Sequence, residues 1–205
     1  MRTKITKIKR SDCLVAYPNF PQADYEKEVF FYPKAVCSYT LILYSKSARG
    51  HAKNLSVELS KLIGAMGMDS LIFLGDAKRA WRYQDNPYPA VQQAVAYLEE
   101  NGVGKRFDGG LEVGIDQLPV FLMHFFWLVR CNAALPYFHF MDPGQRFVGH
   151  ICQHGNVYIS ILASTLDPLF REAVGKTQFA EVGNKRVYST FSRTIRIPHR
   201  QTIVK

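Results

Sequence analysis

The chain has 205 residues and a formal net charge of +9, and 47% of its residues are hydrophobic. This length allows one core of ordinary size and excludes two large domains. Its most apolar run, residues 118–129, is shorter than the roughly 20 residues that cross a bilayer, so we expect no membrane contact. The four cysteines are scattered without close pairing, which favours a reduced, cytoplasmic protein.

The positive charge is concentrated at the two ends. Residues 1–10 hold five of the 26 Lys and Arg residues and residues 185–205 hold six, with no acid in either segment, whereas the other 15 face all 17 acids. We therefore predict a basic N-terminal arm (1–10), a single α+β domain (11–184) and a basic C-terminal arm (185–205). Basic arms favour an anionic polymer, because each phosphate contact releases counterions. Solvated ends and an acidic membrane surface are the alternatives.

The first elements of the domain are a strand and a helix. Residues 38–45 are rich in β-branched and aromatic residues and predict a strand. Leu55, Leu59 and Leu62 recur at helical spacing, with Asn54 as the expected N-cap. The loop between the two elements carries Lys46, Arg49 and Lys53, which indicates a phosphate contact at the helix N-terminus or an ordinary solvated loop.

Residues 69–84 fit two structures: a strand that ends at Gly75, or a helix that begins at Asp69. We favour the helix. Three further cations lie in its second half, at Lys78, Arg79 and Arg82. The turn sequence DNPYP then precedes a helix marked by Val91, Val95 and Leu98.

The second half has a different pattern, with a subdivision indicated near residues 102–110. A buried helix is predicted over Gln117–Arg130, capped by Asp116. Short strand-like runs follow, separated by the turns DPGQ and QHGN, which is typical of an antiparallel meander.

The stretch GHICQHGN places His150, Cys152 and His154 two residues apart. A metal site would need His139, His150 and Cys152 with Asp142 nearby, and Cys152 beside a histidine could form a thiolate pair. We favour a hairpin, because Gly155 suits a tight turn and the alternation fails once the turn begins. We therefore expect no metal, no cofactor and no enzymatic activity.

Two segments resemble a known family. SYTLILYSKSAR (38–49) and AKRAWRYQDNPYPAVQQAVAYLEE (77–100) are similar to segments of the AcaB-like proteins of conjugative plasmids and integrative conjugative elements. The stretch that contains both segments, residues 38–100, makes up about a quarter to a third of the chain. It implies a DNA-binding transcriptional activator of transfer genes that is dimeric and contains a ribbon-helix-helix element.

Charge and resemblance together predict a transcriptional regulator that binds double-stranded DNA as a homodimer, with two copies of the strand TLILYS paired across the dimer axis. The alternatives are a metal- or Cys-dependent enzyme that uses His139, His150 and Cys152, and an interaction protein that docks an acidic partner. The residues predicted to contact DNA, chosen by charge and placement, are Lys46, Arg49, Lys53, Lys78, Arg79, Arg82, Arg193 and Arg196.

Overall fold

The computed structural model describes residues 5–83, 85–183, 191 and 197–201. These residues form an α+β fold, which confirms the predicted class. The strands are β1 (Thr6–Ile8), β2 (Gln22–Asp24), β3 (Val29–Phe31), β4 (Cys37–Ile42), β5 (Ser70–Gly75), β6 (Gly110–Gly114), β7 (Phe138–Met141), β8 (Phe147–Ile151), β9 (Val157–Ile161) and β10 (Ala180–Glu181). The α-helices are α1 (Arg10–Ala16), α2 (Ala48–Ala65), α3 (Pro89–Glu100), α4 (Leu118–Cys131) and α5 (Asp167–Gly175).

Eight strands form one sheet in the order β1-β6-β5-β7-β8-β9-β4-β10, and β2 pairs with β3 in a separate hairpin. Each pair of neighbouring strands is antiparallel. The predicted meander is confirmed, because β7, β8 and β9 are consecutive neighbours. Among the helices of the described residues, none has the length and apolarity that a bilayer crossing requires.

The main core lies between one face of the sheet and the helices α2 to α5. Successive strand residues point to opposite faces, so Phe138 and Phe140 of β7 pack into this core while His139 and Met141 point to the other face. There, α1 and the segment after it cover part of the sheet with the buried side chains of Cys13 and Phe20.

The prediction of a helix over residues 69–84 is wrong in its first half, which forms β5. This strand lies between β6 and β7, and five of its six residues are buried. A strand that is buried on both faces has a continuous apolar run instead of alternation. Such a run cannot be distinguished from a buried helix by periodicity. The strand ends at Gly75, as the other interpretation of the sequence requires.

The predicted start of α2 at Asn54 is also wrong, because the helix begins two turns earlier. Ser47 is the N-cap, and its hydroxyl accepts a hydrogen bond from the Gly50 amide at 3.1 Å. Ser and Asn are both strong N-caps, and the apolar spacing begins only where the helix meets the core. Arg49 and Lys53 therefore lie on the helix and not in a loop.

The predicted pairing of β4 across a dimer axis is corrected by the sheet order. β4 has β9 on one side and β10 on the other, where Ala180 pairs with Ile42 and the Val182 amide donates to the Thr40 carbonyl at 3.0 Å. The chain itself therefore covers the edge that the dimer was expected to use. The ribbon-helix-helix dimer element that the resemblance implies is not confirmed by these strand pairings.

The segments predicted as basic arms are partly built into the fold. Residues 6–8 pair with β6, and Ile5 is buried beside them. Near the other end, the Arg200 guanidinium donates to the carbonyls of Val129 and Arg130 at the end of α4, at 2.9 and 2.6 Å. Arg193 and Arg196 lie outside the described residues.

Candidate nucleic-acid interface

Cations from distant parts of the chain meet at one end of the sheet. β4 and β5 are separated by four antiparallel pairings, so they run parallel and end on the same side. β6 begins on that side and β1 ends there. We call this side the basic end, and it is formed by residues 9–10, 43–49, 76–83, 85–88, 101–109, 130–137, 152–156 and 197–201.

Opposite charges are segregated between the two ends of the sheet. The cations of the basic end are Lys9, Arg10, Lys46, Arg49, Lys78, Arg79, Arg82, Lys105, Arg106, Arg130 and Arg200. The acids in the same segments are Asp76, Asp85 and Asp108. The segments at the opposite end, residues 32–36, 67–69, 114–117, 142–146 and 162–167, contain Asp69, Asp116, Asp142 and Asp167 against Lys34 and Arg146. The described segments therefore hold 11 cations against three acids at the basic end, and two cations against four acids at the opposite end.

The densest group of cations lines a groove of about 720 Å³ at the basic end. Two loops form it, the one that follows β5 and the one that precedes β6. The lining cations are Lys78, Arg79, Arg82, Lys105 and Arg106, and Asp108 is the acid among the lining residues. Lys78, Lys105 and Arg106 are exposed. Three of the predicted DNA contacts are thus brought together.

Trp81 holds these two loops together. Its side chain is buried and stacks on Phe138, with ring centroids 4.0 Å apart. Its indole N–H donates to the Gly109 carbonyl at 2.9 Å, and its amide donates to the Phe107 carbonyl at 3.0 Å. These contacts hold the cations of the loop after β5 close to those of the loop before β6.

The two arginines of the loop after β5 differ in how far a carboxylate neutralises their charge. Arg82 is mostly buried and bridges Glu99 at 3.3 Å, so part of its charge is neutralised. Arg79 donates to the Ala134 carbonyl and lies over the Tyr83 ring, 4.9 Å from its centroid. A carbonyl orients a guanidinium without cancelling its charge, and therefore Arg79 remains a cation that an anion can use.

Lys46, Arg49 and Lys53 form a second group at the start of α2. All three are exposed, and the first turn of the helix has no acid, so its free amides add to the attraction for an anion. The strands that lead into this group and into the groove, β4 and β5, are four strand spacings apart in the sheet, roughly 19 Å. His51, which lies among these residues in sequence, is instead buried, and its Nε2 lies 3.0 Å from the Gly155 carbonyl oxygen.

Lys105 and Arg106 were missed by the sequence reasoning. The basic pair in GVGKRFDGG was the available signal, but this stretch was interpreted as a subdomain boundary. It connects α3 to β6, and Trp81 joins it to the predicted cations.

A cavity of about 540 Å³ lies between the two groups of cations. Its walls come from the start of β7, the turn between β8 and β9, the end of α4 and the loop after β5. Polar and aromatic side chains dominate, and the lining contains no carboxylate: Tyr25, Arg79, Asn132, Tyr137, Cys152, Gln153, His154, Tyr158 and Arg200.

The histidines of the alternative enzyme site face each other on neighbouring strands. His139 of β7 is paired with His150 of β8, and their ring centroids are 5.4 Å apart. Burial and the neighbouring His150 lower the pKa of His139 to about 3, and burial lowers the pKa of His150 to about 4. Both rings are therefore neutral near pH 7.

Cys152 lies beyond the end of β8, in the turn that also holds His154. Burial raises the pKa of the Cys152 thiol, which disfavours the thiolate that nucleophilic catalysis or metal binding needs. No group of three or more His, Cys, Asp or Glu side chains in a metal-binding arrangement occurs within the described part of the chain.

Comparisons of this chain with protein-family models, with curated proteins and with solved structures gave no match.

We predict that the free energy of unfolding falls as the pH is lowered from 7 to 5. Histidines in the unfolded chain titrate near pH 6.5, whereas in the folded protein the pKa is about 3 for His139 and about 4 for His150, so both rings stay neutral throughout this window. The unfolded chain therefore binds more protons in this window, and acid favours unfolding. Replacing His150 by Gln should reduce the slope by up to about 1.4 kcal/mol per pH unit.

Urea unfolding at a series of pH values measures this slope. His199→Gln is the matched control, because His199 is exposed. An equal slope in His150→Gln and the parent protein would contradict the assignment of a neutral, desolvated ring at position 150.

Proposed function

We propose that this protein is a transcriptional regulator that binds double-stranded DNA through the basic end of its sheet. The observation that carries the proposal is the segregation of charge, with the Lys and Arg residues of six separate segments gathered at one end of the sheet, whereas acids outnumber bases in the described turns at the other end. A binding surface for an anionic polymer needs this arrangement, because phosphates attract cations that are not already neutralised by carboxylates.

The placement of the cations supports a duplex as the polymer. The strands that lead into the groove and into α2 are four spacings apart in the sheet, roughly 19 Å, so the basic end is wide enough to contact phosphates over several base pairs. The α2 amides and exposed lysines suit phosphate contacts, which position a protein on DNA without specifying its sequence. The resemblance to AcaB-like activators supports a role in regulating transfer genes.

We expect the double substitution Lys105→Ala with Arg106→Ala to weaken duplex binding and flatten its dependence on salt. Each phosphate contact contributes about 0.9 to the slope of log K against log salt, so two lost contacts should lower it by roughly 1.8. Fluorescence anisotropy of a labelled duplex at several salt concentrations measures both quantities.

The matched control is Lys34→Ala with Lys61→Ala, which removes the same charge away from the basic end. Lys34 lies at the opposite end of the sheet, and Lys61 lies on the fourth turn of α2 beside Glu58. Equal slopes for the two double variants would remove the groove from the interface. An acidic polypeptide that binds as tightly as the duplex would favour the interaction protein instead.

The proposed regulator is a homodimer, and the hairpin of β2 and β3 is the surface that favours it. Val29, Phe30 and Phe31 are 60%, 51% and 50% exposed on β3. An exposed apolar strand of this kind marks an interaction surface, and a two-stranded hairpin is marginally stable alone. A second copy that covers β3 would bury these rings and place two basic ends on one DNA molecule.

Light scattering at micromolar concentration tests the homodimer. We expect the mass of two chains, and we expect Phe30→Ser with Phe31→Ser to reduce it to that of one chain. Val15→Ser is the control, because Val15 is 84% exposed on α1 and lies outside the hairpin. A single-chain mass for the parent protein, together with one protein per duplex, would rule out the dimer.

A further inference from the structure

The cavity between the two groups of cations combines aromatic rings with arginines. Three tyrosines and two arginines contribute to its walls, and its volume of about 540 Å³ is within the range of small-molecule sites, about 300 to 1,000 Å³. Phosphate contacts along a paired duplex do not require an enclosed aromatic cavity. A ligand with both a phosphate and a planar ring would use both features.

We propose that this cavity accepts one unpaired nucleotide of the bound DNA, with its base against Tyr137 and its phosphate beside Arg79 and Arg200. The inference rests on the proposed DNA binding and adds the class of DNA that the protein prefers. Such DNA contains a bulged or otherwise unpaired nucleotide within a duplex.

The buried carboxylate of Asp76 fixes two of the aromatic residues. Tyr25 donates its hydroxyl to Asp76 Oδ2 at 2.8 Å, and the Tyr137 amide donates to Asp76 Oδ1 at 3.2 Å. The Asp76 amide in turn donates to the Tyr137 carbonyl at 3.0 Å. The Tyr137 side chain is 60% exposed on this fixed backbone, so it offers a ring to an incoming base. Any of the four bases can stack on such a ring, so this contact does not depend on the DNA sequence.

The two arginines are held by carbonyl oxygens and keep their charge. Arg79 donates to the Ala134 carbonyl, and Arg200 donates to the carbonyls at the end of α4. A guanidinium has five N–H groups, so each arginine retains donors for a phosphate. Carboxylates are absent from the described lining, and the buried Asp76 carboxylate that lies behind it is hydrogen-bonded to Tyr25 and Tyr137. The two guanidiniums are therefore the charged side chains that a phosphate in the cavity would meet.

The cavity and the groove that the paired DNA is proposed to occupy share one lining residue, Arg79. The two are therefore neighbours, and a nucleotide that leaves the helix beside the groove would have only a short distance to cover to reach the cavity. Asn132, in the cavity wall, also has a buried side-chain oxygen without a hydrogen-bond partner, which a donor group in the cavity could satisfy after a small adjustment.

An unpaired nucleotide is the form of DNA that can enter most easily. Extruding a paired base requires the loss of pairing and stacking, whereas a bulged base has already lost its partner. Stacking on one aromatic ring then adds affinity that a fully paired duplex cannot gain without this loss. The inference therefore predicts a difference between two DNAs of nearly equal charge.

The experiment compares three labelled duplexes by fluorescence anisotropy: fully paired, with a single-nucleotide bulge, and with the same bulge lacking its base. We expect the bulged duplex to bind about tenfold more tightly than the paired one, and the abasic bulge to lose this gain. Tyr137→Ala should abolish the preference, so that the ratio of bulged-duplex affinity to paired-duplex affinity falls to about one. Tyr44→Ala is the matched control, because Tyr44 is exposed at the same end but does not line the cavity.

The outcomes separate this inference from the proposed function. Equal affinity for the paired and bulged duplexes would overturn the inference and leave DNA binding intact, whereas no binding to any duplex at low salt would overturn both. A free deoxynucleoside monophosphate tests whether the cavity binds free nucleotides instead of an unpaired nucleotide within DNA. If it binds in a Tyr137-dependent way while the bulge gives no gain, the cavity is a site for free nucleotides and the inference is wrong.

Discussion

The packing of Trp81 is the interaction on which the candidate interface depends. The loop after β5 and the loop before β6 are separated in sequence by α3. They meet because the Trp81 ring is buried against Phe138 and its indole N–H donates a hydrogen bond to the Gly109 carbonyl. A buried tryptophan contributes on the order of 3–5 kcal/mol relative to alanine. This stabilisation keeps Lys78 and Arg79 close to Lys105 and Arg106, although like charges repel each other.

The basic end keeps its charge because its arginines are hydrogen-bonded to the backbone. Arg79 and Arg200 donate to carbonyl oxygens, whereas Arg82 forms a salt bridge with Glu99 and Arg10 interacts electrostatically with Asp108 and Asp76. Pairing each cation with an acid would give a more stable surface with no attraction for an anion. An arrangement that satisfies the donors and leaves the charge uncompensated sacrifices stability, as functional sites commonly do.

Much of the fold could be predicted from the sequence, whereas the arrangement of the site could not. The helices around Val91 and Phe125 have strong apolar patterns, and the turns of the meander contain residues suited to tight turns. The strand β5 was missed because a fully buried strand lacks alternation. The basic end was missed because its cations are spread over the sequence, and a count along the chain averages them with acids that lie at the other end of the sheet. The segment predicted as the N-terminal arm includes β1. This strand has only three residues, which is too few for its sequence to indicate that it pairs with β6.

The most direct test of the basic end as the DNA-binding surface is hydrogen exchange of the protein, measured with and without a short duplex. We expect slower exchange on DNA binding in residues 76–83, 101–109 and 46–53. We expect no change in the turns at 67–69, 114–117 and 142–146, where acids outnumber bases. Protection of those turns, or unchanged exchange in both loops of the groove while the duplex is bound, would contradict this expectation.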